Sequence, residues 1–192
     1  MQRIDEQAPD TYDLVGYSMG GRIALHQALR AKGRVRRLVL ESASPGLASE
    51  AERQARREAD DELAARILHD GIEDFVEQWE AMPLFESQRG LPGQVRRRLG
   101  EGRRANVAES LAAALRGLGT GALPSLWPRL DEIDIEVLVL VGEADAKFVE
   151  IGRRMVERLP RVRLEVVPGA GHTVHLERPD AWLESVCGFL RV

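Results

Sequence analysis

The stretch YDLVGYSMGGRIAL, residues 12–25, decides the fold of this chain. It opens with a short β-prone run, Tyr12 to Val15, which ends at Gly16. Apolar residues at helical spacing then follow the glycine pair at positions 20 and 21. The next apolar run, RLVLE at 37–41, is typical of a second strand. A strand, a sharp turn, a helix and another strand in this order predict a parallel sheet with a crossover helix.

The last third of the chain has the same pattern. EVLVLV at 136–141 is a nearly continuous apolar run, as expected for a parallel strand that is buried on both faces. The sequence predicts three further elements there: a helix over 149–158, a strand over 163–167 and a helix over 179–190. We therefore expect an α/β fold with a parallel sheet of about four strands, formed by residues 1–44 and 129–192.

The residues between these two parts have a helical pattern. Ser49 and Glu52 have the spacing of a capping box, which begins a long polar helix that ends near residue 69. Further helices are predicted over 72–81, 93–104 and 107–118. Residues 45–128 are therefore interpreted as a helical lid that is inserted between the second and third strands.

Composition excludes several classes of protein. The chain has 192 residues and a formal net charge of −4, which argues against electrostatic binding to nucleic acid. The first ten residues are polar and lack the apolar core of a signal peptide, and no apolar run is long enough to span a bilayer. The single cysteine, Cys187, fits a reducing compartment. We expect a soluble, cytoplasmic protein with neither nucleic acid nor membrane as a partner.

The strand-to-helix turn contains Gly16-x-Ser18-x-Gly20, the pattern of an elbow that presents a reactive serine. A serine hydroxyl becomes a nucleophile or a base only when a histidine accepts its proton and an acid orients that histidine. Positions 16 and 20 are expected to require glycine, because the backbone passes close to its neighbours there. The amide of Met19, at the start of the helix, is a candidate oxyanion donor.

The candidates for the acid and the base follow two later strands. Asp145 in LVGEAD comes after the strongest strand, and His172 in VPGAGH comes after the last strand. Both then lie at carboxyl ends of parallel strands, where open α/β sheets form their sites. Singly, Asp145 is also typical of a helix cap and His172 of a loop histidine. Three motifs in the order Ser18, Asp145, His172 favour a catalytic triad.

The other three histidines are interpreted differently. His26 and His69 are expected on solvated helix surfaces, and His175 is expected to orient the loop around His172.

Six stretches of the sequence match a known family: LVGYSMGGRIAL, RLVLESASPGL, FVEQWEAMPLF, LAAALRGLGTG, VGEADAKF and VPGAGHTVHLERP. Together they resemble the α/β-hydrolase superfamily and, within it, the 2-succinyl-6-hydroxy-2,4-cyclohexadiene-1-carboxylate synthases of menaquinone biosynthesis. The resemblance implies a lyase that eliminates pyruvate from 2-succinyl-5-enolpyruvyl-6-hydroxy-3-cyclohexene-1-carboxylate, with the triad serine as a base. It also implies that neither a cofactor nor a metal is needed.

The substrate implied by this resemblance is a small polycarboxylate, which arginine recognises well because its planar guanidinium binds carboxylates in a bidentate manner. Arg22, beside the elbow, and Tyr17, next to the serine, are the implied binding residues. Arg53, Trp79 and Arg103 in the insertion match the family less securely. A solvated helix face is the alternative for the two lid arginines, and a place in the lid core is the alternative for Trp79.

Members of this family carry several strands and an oxyanion loop before the elbow, whereas Ser18 lies near the start of this sequence. We therefore expect an N-terminally truncated sheet whose first strand has an exposed edge, which favours self-association through that edge. Two alternatives to the lyase stay open. One is a carboxylic-ester hydrolase of the same superfamily, and the other is an inactive remnant that acts at most as a binding protein.

Overall fold

A computed structural model describes residues 2–191 of the chain. These residues form two compact units. The sheet unit contains the chain up to Pro45 and from Leu126 onward, and the helical unit is Gly46–Ser125.

The strands are β1 (Tyr12–Tyr17), β2 (Val35–Glu41), β3 (Glu136–Gly142) and β4 (Val162–Val167). The α-helices are α1 (Gln2–Gln7), α2 (Met19–Arg30), α3 (Glu50–Asp70), α4 (Ile72–Glu80), α5 (Gly93–Arg104), α6 (Ala108–Leu118), α7 (Ala146–Val156), α8 (Val174–Glu177) and α9 (Pro179–Leu190). Two 3₁₀ segments cover Pro83–Gly90 and Trp127–Glu132.

The four strands form one parallel sheet in the order β1-β2-β3-β4, which confirms the predicted α/β fold class. Successive side chains of the two central strands enter two different cores, as a pleated strand requires. Leu38 and Val139 pack in one hydrophobic cluster, whereas Val39 and Leu138 pack in the other. This double burial explains why EVLVLV is apolar at nearly every position.

Helices cover the two faces of the sheet. Leu25 of α2 and Met155 of α7 are fully buried in the first cluster. Val186 of α9 is buried in the second cluster. These positions follow the apolar spacing of each helix, so the helices bury one stripe each against the sheet.

The helical unit begins with the capping box that the sequence predicts. The Ser49 side chain accepts a hydrogen bond from the amide of Glu52 at 3.1 Å, and the Glu52 carboxylate accepts one from the amide of Ser49 at 2.9 Å. Ile67 of α3 and Val76 of α4 are almost fully buried within this unit, together with Ala112 of α6.

The insertion ends earlier than expected. The sequence interpretation extended it to residue 128, but Leu126 and Trp127 are buried in the core of the sheet unit. The amide of Leu126 also donates to the carbonyl of Pro45 at 2.8 Å, so the two ends of the insertion are joined at one point.

Three kinds of element were missed or shifted. The six-residue α1 and the four-residue α8 are too short to show a periodic pattern, and both 3₁₀ segments begin at a proline or next to one. Helix α7 begins at Ala146 rather than at 149, because the side chain of Asp145 caps it. No helix among residues 2–191 has the length and apolarity that crossing a membrane demands.

His26 on α2 does not have the solvated surface position that the sequence suggested. Its Nε2 atom is buried and has no hydrogen-bond partner among residues 2–191. Burial lowers the pKa of His26 below its ordinary value of 6.5, and the positive charges of Arg22 and Arg129 lower it further.

This lowered pKa predicts a loss of stability in mild acid. Below pH 6.5 the unfolded chain binds a proton at His26 more readily than the folded chain, so the free energy of unfolding falls as the pH drops from 6.5 to the folded-state value. Urea unfolding across this range is expected to show a smaller pH slope for His26→Gln than for the parent chain.

His69→Gln is the matched control. His69 is exposed, and its hydrogen bond to Asp70 raises its pKa, so its effect has the opposite sign. An unchanged pH slope in His26→Gln would show that the imidazole is not perturbed by burial.

Candidate active site

Ser18 lies in the turn between β1 and α2. Its φ of 50° and ψ of −114° are outside the regions that residues with a side chain usually adopt. The amide of Ser18 donates to the carbonyl of Glu41 at the end of β2, at 2.8 Å. A strained backbone at a serine held in this way is typical of a functional residue rather than of a simple loop.

Gly16 and Gly21 permit this turn, whereas the sequence suggested Gly16 and Gly20. A Cβ atom on Gly16 would lie 2.6 Å from the Cα of Gly21, and a Cβ on Gly21 would lie 2.4 Å from the Cβ of Ala43. A Cβ on Gly20 would meet nothing within 4 Å. The expectation that Gly20 must be small is therefore wrong, because the close approach falls one residue later.

Alanine is expected to have different effects on stability at position 20 and at position 21. Gly21→Ala should lower the free energy of unfolding by about 1–3 kcal/mol, because its Cβ overlaps Ala43 and the carbonyl of Gly16. Gly20→Ala should be neutral or stabilise by up to about 1 kcal/mol, because alanine is the better helix former. Thermal or urea unfolding of the two variants tests this, and equal effects would contradict it.

The structure brings Ser18, His172 and Asp145 together in series. His172 Nε2 lies 3.0 Å from Ser18 Oγ, and His172 Nδ1 lies 2.7 Å from Asp145 Oδ2. His172 is 2% exposed and Asp145 is 8% exposed. Because Nδ1 faces a carboxylate, it is the nitrogen that donates, and this leaves Nε2 to accept the hydroxyl proton of Ser18. The geometry suits proton transfer from Ser18 to His172, and the catalytic role of the three residues stays a prediction.

Asp145 serves both purposes that the sequence analysis set against each other. Its Oδ1 accepts a hydrogen bond from the amide of Phe148 at 3.3 Å and caps α7, while its Oδ2 holds His172. The two oxygens of one carboxylate thus fix the start of a helix and the ring of the histidine. The helix cap orients the carboxylate toward His172.

The loop that carries His172 is held by backbone contacts. The carboxylate of Glu177 accepts hydrogen bonds from the amides of Gly171, at 2.6 Å, and Thr173, at 3.1 Å. A Cβ on Gly142, at the end of β3, would lie 2.1 Å from the carbonyl oxygen of Gly171. The ring of Phe148 packs edge-on against His172 at a centroid distance of 4.6 Å. These contacts leave the imidazole little freedom to turn.

The other predicted residues of the sheet unit lie around this triad. The Tyr17 hydroxyl is 3.2 Å from Thr173 Oγ1, and the Tyr17 ring lies 5.4 Å from that of His172. Met19 is the first residue of α2, and its side chain is exposed. Arg22 is only 7% exposed, and its amide donates to the carbonyl of Ser18 at 3.1 Å. Their roles in binding stay predictions.

The three candidates of the insertion contact residues of their own unit. Arg53 pairs with Glu50 and donates to the carbonyl of Leu47 at 3.3 Å. Arg103 donates to Glu80 at 3.0 Å and to Gln88 at 2.9 Å.

The ring of Trp79 stacks between Phe75 and Phe85, at centroid distances of 5.4 and 5.5 Å. These contacts support the structural interpretation of Trp79 in the lid core. Binding of substrate by Arg53, Trp79 or Arg103 remains a prediction.

Sequence reasoning missed Glu41, Phe148 and Glu177, which surround the triad. A charged residue directly after the apolar run RLVL was the available signal for Glu41. Within residues 2–191, no three His, Cys, Asp or Glu side chains are grouped as ligands for a metal ion.

Comparisons with known proteins agree with the α/β fold described above. Residues 8–179 match the family described as the alpha/beta hydrolase fold. A protein of Bacillus subtilis (strain 168), named provisionally as a 2-succinyl-6-hydroxy-2,4-cyclohexadiene-1-carboxylate synthase, is 49% identical over 92% of this chain and 65% of its own length. The synthase of that name from Citrobacter koseri is 35% identical over 94% of this chain and 69% of its own length.

A solved structure of MenH from S. aureus superposes with a TM-score of 0.94 at 40% sequence identity, covering 99% of this chain and 71% of that one. The chain spans just under two thirds of the length of the Bacillus subtilis relative, at 65%. The chain belongs to the α/β-hydrolase fold family and, within it, to the family of the 2-succinyl-6-hydroxy-2,4-cyclohexadiene-1-carboxylate synthases.

Proposed function

We propose that this chain acts as a 2-succinyl-6-hydroxy-2,4-cyclohexadiene-1-carboxylate synthase, a lyase of menaquinone biosynthesis. Its substrate would be 2-succinyl-5-enolpyruvyl-6-hydroxy-3-cyclohexene-1-carboxylate, and its second product pyruvate. The series of contacts from Ser18 to His172 to Asp145 is the observation that supports this proposal most, taken with the 49% identity to the Bacillus subtilis relative.

The reaction is a proton abstraction followed by loss of a leaving group. Ser18 Oγ removes a ring proton of the substrate while its own proton passes to His172 Nε2, 3.0 Å away. The electron pair of the broken C–H bond forms a new ring double bond, the existing ring double bond shifts by one position, and the C–O bond to the enolpyruvyl group breaks. The departing enolpyruvate takes up a proton and becomes pyruvate, so no acyl-enzyme is formed. Asp145 stabilises the charged imidazole during transfer.

Negative charge on the substrate requires donors near Ser18. The amide of Met19 is at the N-terminus of α2, where backbone N–H groups point out of the helix and attract anions. Arg22 and Tyr17 are the proposed carboxylate-binding residues of the same turn. We also propose that Arg53, Trp79 and Arg103 contact the substrate. The proposed location of the protein is the cytoplasm.

Arg22 offers a test of carboxylate recognition. Arg22→Ala is expected to lower kcat/KM for pyruvate release by about 10²-fold, and Arg22→Lys by less, because lysine keeps the charge but loses the bidentate geometry. Steady-state kinetics measure both variants. Equal, small effects of the two would remove Arg22 from the binding site.

Two assays on the same preparation distinguish the lyase from its alternatives. Pyruvate release from the cyclohexene substrate, coupled to lactate dehydrogenase, is the expected activity, with slow or absent turnover of p-nitrophenyl esters. Rapid ester turnover without pyruvate release would favour the carboxylic-ester hydrolase. A folded chain that performs neither reaction, yet binds the substrate, would be the inactive binding protein.

A further inference from the structure

Glu41 is a buried carboxylate next to Ser18, the proposed base. It is the last residue of β2 and is 2% exposed. Its backbone carbonyl accepts the hydrogen bond from the amide of Ser18 at 2.8 Å. Its side chain has no part in the proton transfer described above, and a buried carboxylate is costly unless hydrogen bonds or a paired charge compensate it.

Three N–H groups converge on this carboxylate. Oε1 accepts from the amide of His175 at 3.1 Å and lies 2.8 Å from His175 Nδ1, while Oε2 accepts from Trp182 Nε1 at 2.9 Å. Because Nδ1 faces a carboxylate, it donates, which fixes the orientation of the His175 ring. Glu41 thus binds both α8 and α9 to the end of β2.

These contacts continue to the triad. His175 is three residues after His172, and its ring packs edge-on against that of Tyr17 at a centroid distance of 5.1 Å. The Tyr17 ring packs against His172 at 5.4 Å, and its hydroxyl lies 3.2 Å from Thr173 Oγ1. One residue therefore holds the serine through its backbone and the segment of His172 through its side chain.

We propose that Glu41 is a positioning residue, which sets the separation between Ser18 and His172 by holding His175 with its carboxylate. The inference about catalysis rests on the proposed function, whereas the inference about geometry does not. His175 is the partner through which Glu41 acts, and Trp182 only completes the second oxygen.

Two substitutions at Glu41 differ in what they remove. Glu41→Met keeps the length of the side chain but removes both acceptor oxygens, so the His175 segment is released. Glu41→Gln keeps one acceptor oxygen, which the two donors of His175 favour, so that only the hydrogen bond to Trp182 is lost. Glu41→Gln should then behave like Trp182→Phe, which removes the same bond from the other side.

The first measurement is the NMR resonance of the His172 Nδ1 proton, which reports its hydrogen bond to Asp145 in the uncomplexed chain. We expect it to shift or broaden in Glu41→Met, and to stay in place in Glu41→Gln and Trp182→Phe. Glu136→Met, at the first residue of β3, is the matched control and should leave the His172 resonance unchanged. Thermal unfolding of all four variants shows whether a change in the His172 resonance is accompanied by a loss of stability.

The second measurement is the rate at which a fluorophosphonate labels Ser18, where Oγ displaces fluoride and its proton passes to His172. We expect labelling and the kcat of pyruvate release to fall by about 10- to 100-fold in Glu41→Met, with KM little changed. If Glu41→Met is labelled more slowly than the parent chain but neither of them releases pyruvate, the lyase proposal is rejected and the positioning role of Glu41 stands. Equal pyruvate release by the parent chain and Glu41→Met would reject the role of Glu41 alone.

If Glu41→Met does not fold, the pair His175→Leu and His175→Asn replaces it. Asparagine restores a donor near the position of Nδ1, so the His172 resonance should return toward that of the parent chain, whereas leucine should not restore it. A His172 resonance and a labelling rate that stay at parent values in Glu41→Met, or in His175→Leu in its place, would overturn the proposal.

Discussion

Replacing Ser18 with alanine is expected to lower the rate of pyruvate release by about 10³-fold or more. The hydroxyl is the group that lies 3.0 Å from His172 Nε2, and without it no base reaches the substrate from the elbow. Steady-state measurement of pyruvate release with the purified variant gives the result. Ser185→Ala on α9 is the matched control and should retain full activity. Retention of more than a tenth of the activity by Ser18→Ala would exclude the serine as the base.

A glycine at position 18 is expected to remove activity and yet to stabilise the fold. Ser18→Gly should also be inactive, but it is expected to raise the free energy of unfolding by about 1 kcal/mol. Glycine adopts the φ of 50° without steric cost, whereas serine and alanine do not. Urea unfolding of the glycine and alanine variants measures the difference. A glycine variant that is no more stable than the alanine variant would show that the turn is not strained.

Asp145→Asn is expected to lower pyruvate release by about 10⁴-fold while the fold stays intact. The amide of Phe148 requires an oxygen at the Oδ1 position, so the new NH₂ group is directed toward His172. His172 Nδ1 must then accept, Nε2 carries the proton, and it can no longer take one from Ser18. Nitrogen NMR of the imidazole detects this change of tautomer directly.

Asp145→Ala separates the two uses of the carboxylate. It removes the cap of α7 as well as the partner of His172, so it should cost about 1 kcal/mol of stability that Asp145→Asn does not. Activity within a few fold of the parent chain in Asp145→Asn would contradict the assignment of Asp145.

Local patterns were sufficient to predict the sheet and the positions of the triad. EVLVLV is apolar at consecutive positions because each face of β3 enters a core, and such a run identifies a central parallel strand. Asp145 and His172 were found because they follow strands at the carboxyl edge of the sheet, where the distance along the chain is irrelevant.

Features that depend on tertiary contacts were beyond the sequence. Gly20 and Gly21 are adjacent and chemically identical, and only the position of Ala43 shows which of them must be small. Glu41 reads as the polar end of a strand until His175 and Trp182 are placed beside it. His26 was expected on a solvated helix surface, and its partial burial shows only in the folded structure.

The hydrogen bond between Leu126 and Pro45 has a consequence for chain entropy. It brings the two ends of the helical unit together. Residues 46–125 therefore form one long loop, which closes when β2 pairs with β3. The entropic cost of such a loop rises by only about 0.6 kcal/mol when its length doubles. Insertions or deletions between residues 46 and 125 are therefore expected to change the entropic cost of pairing β2 with β3 only slightly. The stability of the sheet that carries Ser18, Asp145 and His172 thus depends only weakly on the number of residues in the helical unit.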